Sequence, residues 1–361
     1  MYLTENGKYI KVKKPYLTEN GKFVKLSKAW VTQDGKYVEL ILSSELIAKR
    51  LVLVDNWSSH TSDDKGVSWT KHNQAVGGQA YHSAATNGKT IVIVRNGESI
   101  NQYETGALAK YTTDGVTWTD ITALGTAFVS STYHSYVSYI PQLDKFFIIK
   151  ASGYNKTATL YQSTDGITWT DLGGACHMGA RTPIIYDEKN NLLLFVGGYD
   201  NNGTTSDYVL HYRSPSSVSS GGLWSNTGFS ATRPTSSNIA TNNGLSVGTK
   251  DGSTLYSVNG TTWTTGASIN AHVYSAVYAK DKYIISPNEM YEYSASTYYS
   301  VDGKTWTGVG TNGVAAKPYN LIYDGTQFIS WTGQRLCRSN DGLTWTKQTI
   351  GSGYGSISFL A

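Results

Sequence analysis

The sequence predicts an all-β protein, a seven-bladed β-propeller with a composite closing blade, preceded by a small module of β-hairpin repeats. Three observations lead to this prediction. The 361 residues include 37 Gly, 27 Tyr and 10 Trp, a composition that favours many short strands joined by turns. A short motif recurs every 14 residues near the N-terminus, and a Trp-containing motif recurs at intervals of 39 to 55 residues along the rest of the chain.

The N-terminal repeat is marked by Gly7, Gly21 and Gly35. In each copy an Asn-Gly or Asp-Gly pair stands between alternating apolar residues, the strongest short-range signal for a two-residue hairpin turn. Such a turn in the first copy places Leu3 opposite Ile10. The apolar and aromatic positions that we assign to an anchor surface are Tyr2, Leu3, Ile10, Tyr16, Leu17, Val24, Trp30, Val31 and Val38.

A two-stranded hairpin alone is marginally stable in water, so these repeats need a surface to pack against. We interpret residues 1–42 as an anchoring or oligomerisation module. A β-meander packed on the chain's own main domain is the alternative. Residues 43–50 are then a connector, and residues 51–361 form the propeller.

The charge is concentrated in the hairpin module. Residues 1–41 contain eight lysines and four acidic residues, whereas the rest of the chain contains 22 basic and 22 acidic residues. A main domain that binds nucleic acid would carry a basic excess, so no nucleic-acid partner is expected. No apolar run approaches the roughly 20 residues needed to cross a bilayer, so no membrane insertion is expected. The basic module suits an acidic protein surface.

The longer repeat carries a Gly-x-Thr-Trp-Thr motif, with six close copies and one degenerate copy. A second apolar run separates the copies, so each unit offers about four short strands, which is typical of a propeller blade. We expect the Asp-Gly before each Trp to form a two-residue hairpin and the Trp to fill the wedge between blades. The repeat residues, interpreted as scaffold, are Asp64, Trp69, Asp114, Trp118, Asp165, Trp169, Trp224, Trp263, Asp302, Trp306, Asp341 and Trp345.

The blade count follows from the units at the two ends of the propeller. Six units are complete. The front of the domain, which begins with the apolar residues 51–54, lacks an innermost strand, and residues 356–361 supply one. Joining the two ends makes a seventh, composite blade and removes two exposed sheet edges. Seven blades are predicted, with six or eight as alternatives.

The residues 62–69, Ser-Asp-Asp-Lys-Gly-Val-Ser-Trp, resemble the Asp box of sialidase-like (BNR-repeat) propellers. The other copies look like the same box with one residue missing between Asp and Gly. The N-terminal Lys-Lys-x-Tyr-x-x-x-Asn-Gly repeats resemble those of bacteriophage structural and tail proteins. Together the two halves resemble a phage tail-fibre or appendage protein.

This resemblance implies a virion structural protein, assembled in the bacterial cytoplasm. Residues 1–42 would bind other virion proteins or another copy of the chain, and the propeller would bind a host surface glycan or protein, or a neighbouring virion protein. Two alternatives remain open: a capsid or collar decoration protein without a receptor, and a sialidase-like hydrolase that processes glycans.

No catalytic residue, cofactor or enzyme activity is predicted. Sialidases of this family carry a Phe/Tyr-Arg-x-Pro motif ahead of the first box, and nothing before Trp69 matches it; the nearest strings surround Arg181 and Arg233. A nucleophilic pair formed by Cys176 and His177 is disfavoured, because adjacent residues on a strand point to opposite faces.

One set of polar residues recurs where each innermost strand is expected to begin, and equivalent positions of a propeller form a ring at one mouth of its channel. Histidine titrates near neutrality, so such a ring suits an anionic or glycan ligand. The alternative is a structural ring that hydrogen-bonds neighbouring blades. A metal site is not predicted, since a seven-fold ring is too wide for three ligands at about 2.0–2.1 Å. The ring comprises His82, His134, His177, Arg233, His272, Lys317 and Tyr354.

Overall fold

The chain divides into two compact units, Met1–Glu45 and Leu46–Ala361. Each unit is described by itself. The computed structural model describes residues 2–5, 8–11, 16–19, 22–25, 29–33, 36–40, 48–55, 58–73, 81–95, 107–126, 135–151, 157–180, 182–200, 206–220, 222–231, 239–250, 252–269, 273–287, 297–309, 320–331, 335–350 and 356–361.

The first unit contains three separate two-stranded antiparallel hairpins. Two residues separate the strands of each hairpin, which is the predicted turn length. The register places Leu3 opposite Ile10 in the first hairpin, as the sequence predicts, and Val31 opposite Val38 in the third. The strands are β1 (Tyr2–Glu5), β2 (Lys8–Lys11), β3 (Tyr16–Glu19), β4 (Lys22–Lys25), β5 (Ala29–Gln33) and β6 (Lys36–Leu40).

The second unit is a seven-bladed β-propeller of four-stranded antiparallel blades, which confirms the predicted fold and blade count. From the first blade to the seventh, the innermost strands are β34 (Ser356–Leu360), β10 (Tyr81–Thr86), β14 (Tyr136–Ile140), β18 (Ile185–Asp187), β22 (Ala240–Asn242), β26 (Val273–Ala279) and β30 (Asn320–Tyr323). The second strands are β7 (Arg50–Val54), β11 (Ile91–Arg95), β15 (Lys145–Lys150), β19 (Leu192–Asp200), β23 (Leu245–Lys250), β27 (Lys282–Pro287) and β31 (Phe328–Trp331).

The outer half of each blade is formed by its third and fourth strands. The third strands are β8 (Ser59–Ser62), β12 (Ala109–Thr112), β16 (Thr157–Ser163), β20 (Ser206–Arg213), β24 (Ser253–Ser257), β28 (Tyr298–Ser300) and β32 (Arg335–Ser339). The outermost strands are β9 (Thr70–His72), β13 (Thr119–Asp120), β17 (Thr170–Ala180), β21 (Ser225–Ala231), β25 (Thr264–Ser268), β29 (Thr307–Gly308) and β33 (Thr346–Thr349). Short 3-10 helices cover Thr122–Leu124 and Pro215–Ser220.

The first blade is composite, as predicted. The C-terminal strand β34 pairs antiparallel with β7, with Ser356 opposite Val54 and Phe359 opposite Leu51. Both strands are buried along almost their whole length. Joining the two ends of the domain therefore closes the ring, and β34 covers the inner edge that β7 would otherwise expose.

The tryptophans fill the wedges between blades. Trp118 of the second blade packs against a cluster that contains Val52 of the first blade, and Trp169 of the third blade packs against a cluster that contains Val92 of the second. The second strands are buried on both faces because each blade is covered by two neighbours, which explains runs such as Ile91–Val94 that are apolar without alternation.

The loop between the third and fourth strands, which we call the tip loop, corrects one prediction. In the second blade β12 ends at Thr112 and β13 begins at Thr119, so the loop is longer than two residues. A type I′ hairpin needs positive φ at both turn residues, and here Gly115 has φ +78° while Asp114 does not have positive φ. The expected two-residue hairpins at these loops are therefore wrong.

Among the residues that the structure describes, no helix is long and apolar enough to cross a membrane.

Candidate functional site

Antiparallel strands give the propeller two distinct faces. The turns between first and second strands lie on the same face as the tip loops, and we call it the tip face. The turns between second and third strands lie on the opposite face, together with the connections from one blade to the next. We call this the mouth face, because each innermost strand begins there.

The chain enters the propeller on the tip face. The amide N–H of Ala48 donates to the Asp324 carbonyl oxygen at 2.9 Å, and that of Lys49 donates to the Leu360 carbonyl oxygen at 2.8 Å. Asp324 follows an innermost strand, and Leu360 ends one. The final residue, Ala361, donates to the Gly88 carbonyl oxygen in the second blade, so the C-terminus lies on the same face.

The predicted ring lies largely outside the described residues. His134, Arg233, His272, Lys317 and Tyr354 fall outside them. His82 is the second residue of β10, at the beginning of an innermost strand on the mouth face, as expected. The backbone of His82 is described, and its side chain is not.

The structure corrects the placement of His177. This residue belongs to the outermost strand β17 of the third blade, opposite Thr157 of β16 and Gly198 of β19. The innermost strand of the fourth blade begins only at Ile185. The sequence suggested that His177 starts that strand, whereas the long strand β17 carries it across to the next blade first.

The junction of the third and fourth blades departs from the repeat. Here β17 pairs directly with β19, so the two blades share one eight-stranded sheet. A glycine makes this close approach possible: a Cβ atom at Gly197 would lie 3.1 Å from the Cys176 Sγ atom and 3.2 Å from the Gly179 carbonyl oxygen. This junction is the part of the described mouth face that departs from the repeat, and we take it as the candidate site.

Cys176 lies in this junction and is fully buried. Burial raises the pKa of its thiol to about 12, although the backbone amides of Gly179 and Gly198 act in the opposite direction. The thiol is therefore neutral at physiological pH, and a neutral thiol is not a nucleophile. Neither Cys176 nor Cys337 forms a disulfide bond.

A buried acid–histidine pair on the mouth face was not predicted from the sequence. The Asp55 Oδ2 atom lies 2.9 Å from the His60 Nε2 atom, and both side chains are almost completely buried. The Asp55 Oδ1 atom accepts a hydrogen bond of 2.7 Å from the Ser58 amide, which closes the turn between β7 and β8. Burial keeps a substrate away from His60, so the geometry supports a role in shaping this turn.

The Asp side chains of the tip loops are occupied by their own loops. In the second blade the Asp114 Oδ1 atom accepts hydrogen bonds of 2.8 Å from the amides of Val116 and Thr117. Burial raises the pKa of Asp114, but hydrogen bonds from Thr117, Val116 and Thr112 outweigh it and hold the pKa at about 2. The same arrangement recurs around Asp302, whose pKa is also lowered to about 2, chiefly by the amide of Thr305.

The tip-loop carboxylates are thus structural acceptors. The fifth blade shows this directly, because Asn259 takes the same position and accepts from Thr261 and Thr262 at 3.0 and 2.8 Å. An amide oxygen performs the task of the carboxylate, so the task is hydrogen bonding. Within the described parts of the chain, no group of three or more His, Cys, Asp and Glu side chains could hold a metal ion.

No family model matches the chain, and no curated protein matches it. The chain is similar in structure to YCF48 bound to D1 peptide, with a TM-score of 0.51 and 13% sequence identity over 94% of this chain and 98% of that one. It is also similar to a candidate 6-phosphogluconolactonase from Bacteroides fragilis, with a TM-score of 0.51 and 9% identity over 88% of this chain and 99% of that one. Identities this low show the fold alone.

Proposed function

We propose that the chain is a bacteriophage virion structural protein, a tail-fibre or appendage protein. In this proposal residues 1–42 attach it to the particle, and the propeller binds a host surface glycan or a neighbouring virion protein. The Asp-box character of the tip loops belongs to the same proposal. It draws on the resemblance of the box at residues 62–69 and of the N-terminal repeats, and on the geometry of the propeller.

One observation carries the proposal: the chain enters the propeller on one face, and the predicted binding mouth lies on the other. Ala48 and Lys49 bond to residues of the tip face, whereas β10 begins with Tyr81 and His82 on the mouth face. The connection to the N-terminal segment therefore leaves the mouth face of the propeller unobstructed. This is the arrangement that a receptor-binding appendage requires.

The scaffold supports a binding role over a catalytic one. The repeated Asp and Trp side chains hold loops and blades together, so they are not available for chemistry. The buried thiol of Cys176 and the buried Asp55–His60 pair are closed to a substrate. The propeller bound to D1 peptide is an example of this fold holding a peptide, and a protein ligand is one of the two classes proposed here.

A glycan array probed with the full-length chain tests the ligand. We expect binding to a defined set of glycans, and at least tenfold weaker binding by His82→Ala and His177→Ala. The matched control is Lys304→Ala, which changes an exposed residue on the tip face. An array without signal would reject the glycan ligand and leave the neighbouring virion protein as the partner. Equal binding by all variants would place the ligand elsewhere than at the mouth.

Deletion of residues 1–41 tests the attachment. Particles purified from cells that make the truncated chain should lack it, whereas particles from cells that make the full chain should contain it. A truncated chain that is still present on particles in normal copy number would contradict the anchor role. Absence of the full-length chain from particles would contradict the virion function itself.

A further inference from the structure

The exposed aliphatic residues of the propeller are confined to one structural position. Among the described residues, five large hydrophobic side chains are highly exposed, and all five lie in tip loops. Their exposed fractions range from 40% for Ile167 to 71% for Val301. The five are Val67, Ile167, Leu223, Val258 and Val301. Val116 and Leu343, both partly exposed, complete the set in the second and seventh blades.

The exposed aliphatic residues do not all occupy the same position of the repeat. In five blades the aliphatic residue follows the tip-loop glycine, as Val67 follows Gly66. In the fifth and sixth blades that position is polar, Thr261 and Lys304. In these two blades, and only there, an aliphatic residue stands before the Asn or Asp instead, at Val258 and Val301. Every blade therefore has one aliphatic residue in its tip loop, either directly after the glycine or directly before the Asn or Asp.

The fold itself does not need this exposure. Lys304 and Thr261 show that a polar side chain fits the position after the glycine, and Thr113 and Asn340 show the same for the position before the Asp. The stabilising contacts of the loop come from other residues, such as the Asp114 carboxylate and the buried Trp345. An aliphatic side chain thus recurs at every tip on one face, well exposed in five blades, and a partner surface that covers the tips accounts for this recurrence.

We propose that the tip face is a docking surface for a protein of the particle that carries the chain. This inference rests on the proposed virion function. The tips share their face with Ala48, where the chain enters the propeller, so a partner held through the N-terminal segment is at high effective concentration beside them. The partner's surface is apolar with basic residues, because an Asp carboxylate accompanies the aliphatic residue in most of the tips.

A lipid surface fits the tip face less well. Asp64, Asp114 and Asp302 are ionised at neutral pH, as any aspartate in water is, and hydrogen bonds within their loops lower their pKa values further. These fixed negative charges would be repelled by anionic lipids and would have to be dehydrated at a membrane. A protein surface can instead pair them with lysine or arginine at its rim.

Cysteine labelling on assembled particles tests this docking surface. Both natural cysteines are buried, so an engineered exposed cysteine is the reactive site. Val301→Cys reports on the tip face. Lys347→Cys, at an exposed position of the outermost strand β33, is the matched control away from the tip loops. We expect maleimide to label Val301→Cys at least tenfold more slowly on particles than on the free chain, and Lys347→Cys equally fast in both.

Three other outcomes would overturn the proposal. Equal labelling of Val301→Cys on particles and in the free chain would show an uncovered tip face on a protein that still belongs to the virion. Equal protection of Val301→Cys and Lys347→Cys would show general shielding by the particle and no docking specific to the tip face. Absence of the chain from particles would remove the virion function and this inference with it.

A second variant separates a protein partner from a membrane. In Val67→Ser/Val258→Ser/Val301→Ser the exposed tips become polar, and the thermal midpoint should match that of the wild type because exposed side chains contribute little to folding. We expect the full chain not to float with phosphatidylcholine vesicles, and the triple variant to be lost from washed particles at least tenfold faster than Lys304→Ser. Flotation that the triple variant abolishes would identify a lipid surface and refute a protein partner.

Discussion

Gly115 of the second blade lies so close to Val52 of the first that a Cβ atom at Gly115 would stand 2.6 Å from the Val52 Cγ2 atom. The glycine of this tip loop thus packs directly against a buried strand of the preceding blade. Val52 is 1% exposed and β-branched, so its side chain is closely confined. The contact shows why the motif keeps a glycine before the Trp: two blades meet there.

Gly115→Ala should therefore lower the free energy of unfolding by about 3 kcal/mol. Strain at φ +78° contributes about 1 kcal/mol, and the clash with Val52 contributes the rest. Gly222→Ala is the matched control, because Gly222 also has positive φ, +83°, but no atom lies within 4 Å of its added Cβ. Urea unfolding should show a loss of about 1 kcal/mol for the control. Equal losses in the two variants would mean that the blade contact contributes nothing.

The composite first blade makes a second prediction. Deleting residues 356–361 removes β34, which buries Ile357, Phe359 and Leu360 against β7. Burial of each of these side chains is worth about 1.5–3 kcal/mol, and their sum approaches the whole stability of a typical domain. We expect the shortened chain to aggregate on size-exclusion chromatography and to lose its cooperative thermal transition.

Deletion of Ala361 alone is the control for this truncation. It removes a single backbone hydrogen bond to the Gly88 carbonyl oxygen and should leave the thermal midpoint within a few degrees of the wild type. A cooperative transition at the wild-type temperature after loss of residues 356–361 would contradict the closure of the ring by β34.

The repeat spacing predicted the arrangement of the blades, and it did not predict the shape of the loops between their strands. Each Trp sits at a fixed distance from its glycine, so the blade count and the closing strand could be inferred from spacing alone. The geometry of the tip loops could not be inferred, because an Asp-Gly pair in a sequence indicates a two-residue hairpin turn. In the structure the Asp114 side chain competes by binding two backbone amides, which widens the loop.

The candidate site was harder to predict because it depends on features that single blades do not share with the rest of the repeat. His177 departs from its expected position because β17 continues for 11 residues and joins the next blade, a feature that occurs at one junction of the described propeller. The glycines at 197 and 198 that permit this approach resemble ordinary turn glycines in the sequence. Asp55 and His60 were missed since their pairing depends on a turn that the other blades do not repeat.

The tip loops also predict an acid sensitivity. The folded pKa of Asp114, about 2, lies below its usual value, so its hydrogen bonds stabilise the ionised form. Such a group stabilises the fold above about pH 4, and this contribution is lost as the pH falls through about 2. In Asp114→Asn, the free energy of unfolding should fall less between pH 5 and pH 2.5 than in the wild type. The difference should be about 0.5 kcal/mol, since solvent screens an exposed carboxylate.

Asn259→Asp is the reciprocal variant, because Asn259 occupies the same loop position without a titrating group. It should gain the acid sensitivity that Asp114→Asn loses, while the thermal midpoint at pH 7 stays equal to or above that of the wild type. Urea titrations at pH 5 and pH 2.5 measure both changes. Identical pH dependence in the wild type and both variants would show that the tip-loop carboxylates do not stabilise the fold electrostatically.

The buried thiol at the junction of the third and fourth blades makes the last prediction. With a pKa of about 12, Cys176 holds a thiolate fraction about 3,000-fold smaller than an ordinary thiol of pKa near 8.5. N-ethylmaleimide at pH 7.5 should therefore modify Cys176 at least 100-fold more slowly in the folded protein than in 6 M guanidinium, as measured by mass spectrometry of the modified peptide. The exposed cysteine of Val301→Cys is the internal standard for reagent activity. Rapid modification of Cys176 in the folded chain would mean that β17 and β19 separate readily, and the shared sheet of the two blades would then not be a rigid part of the mouth face.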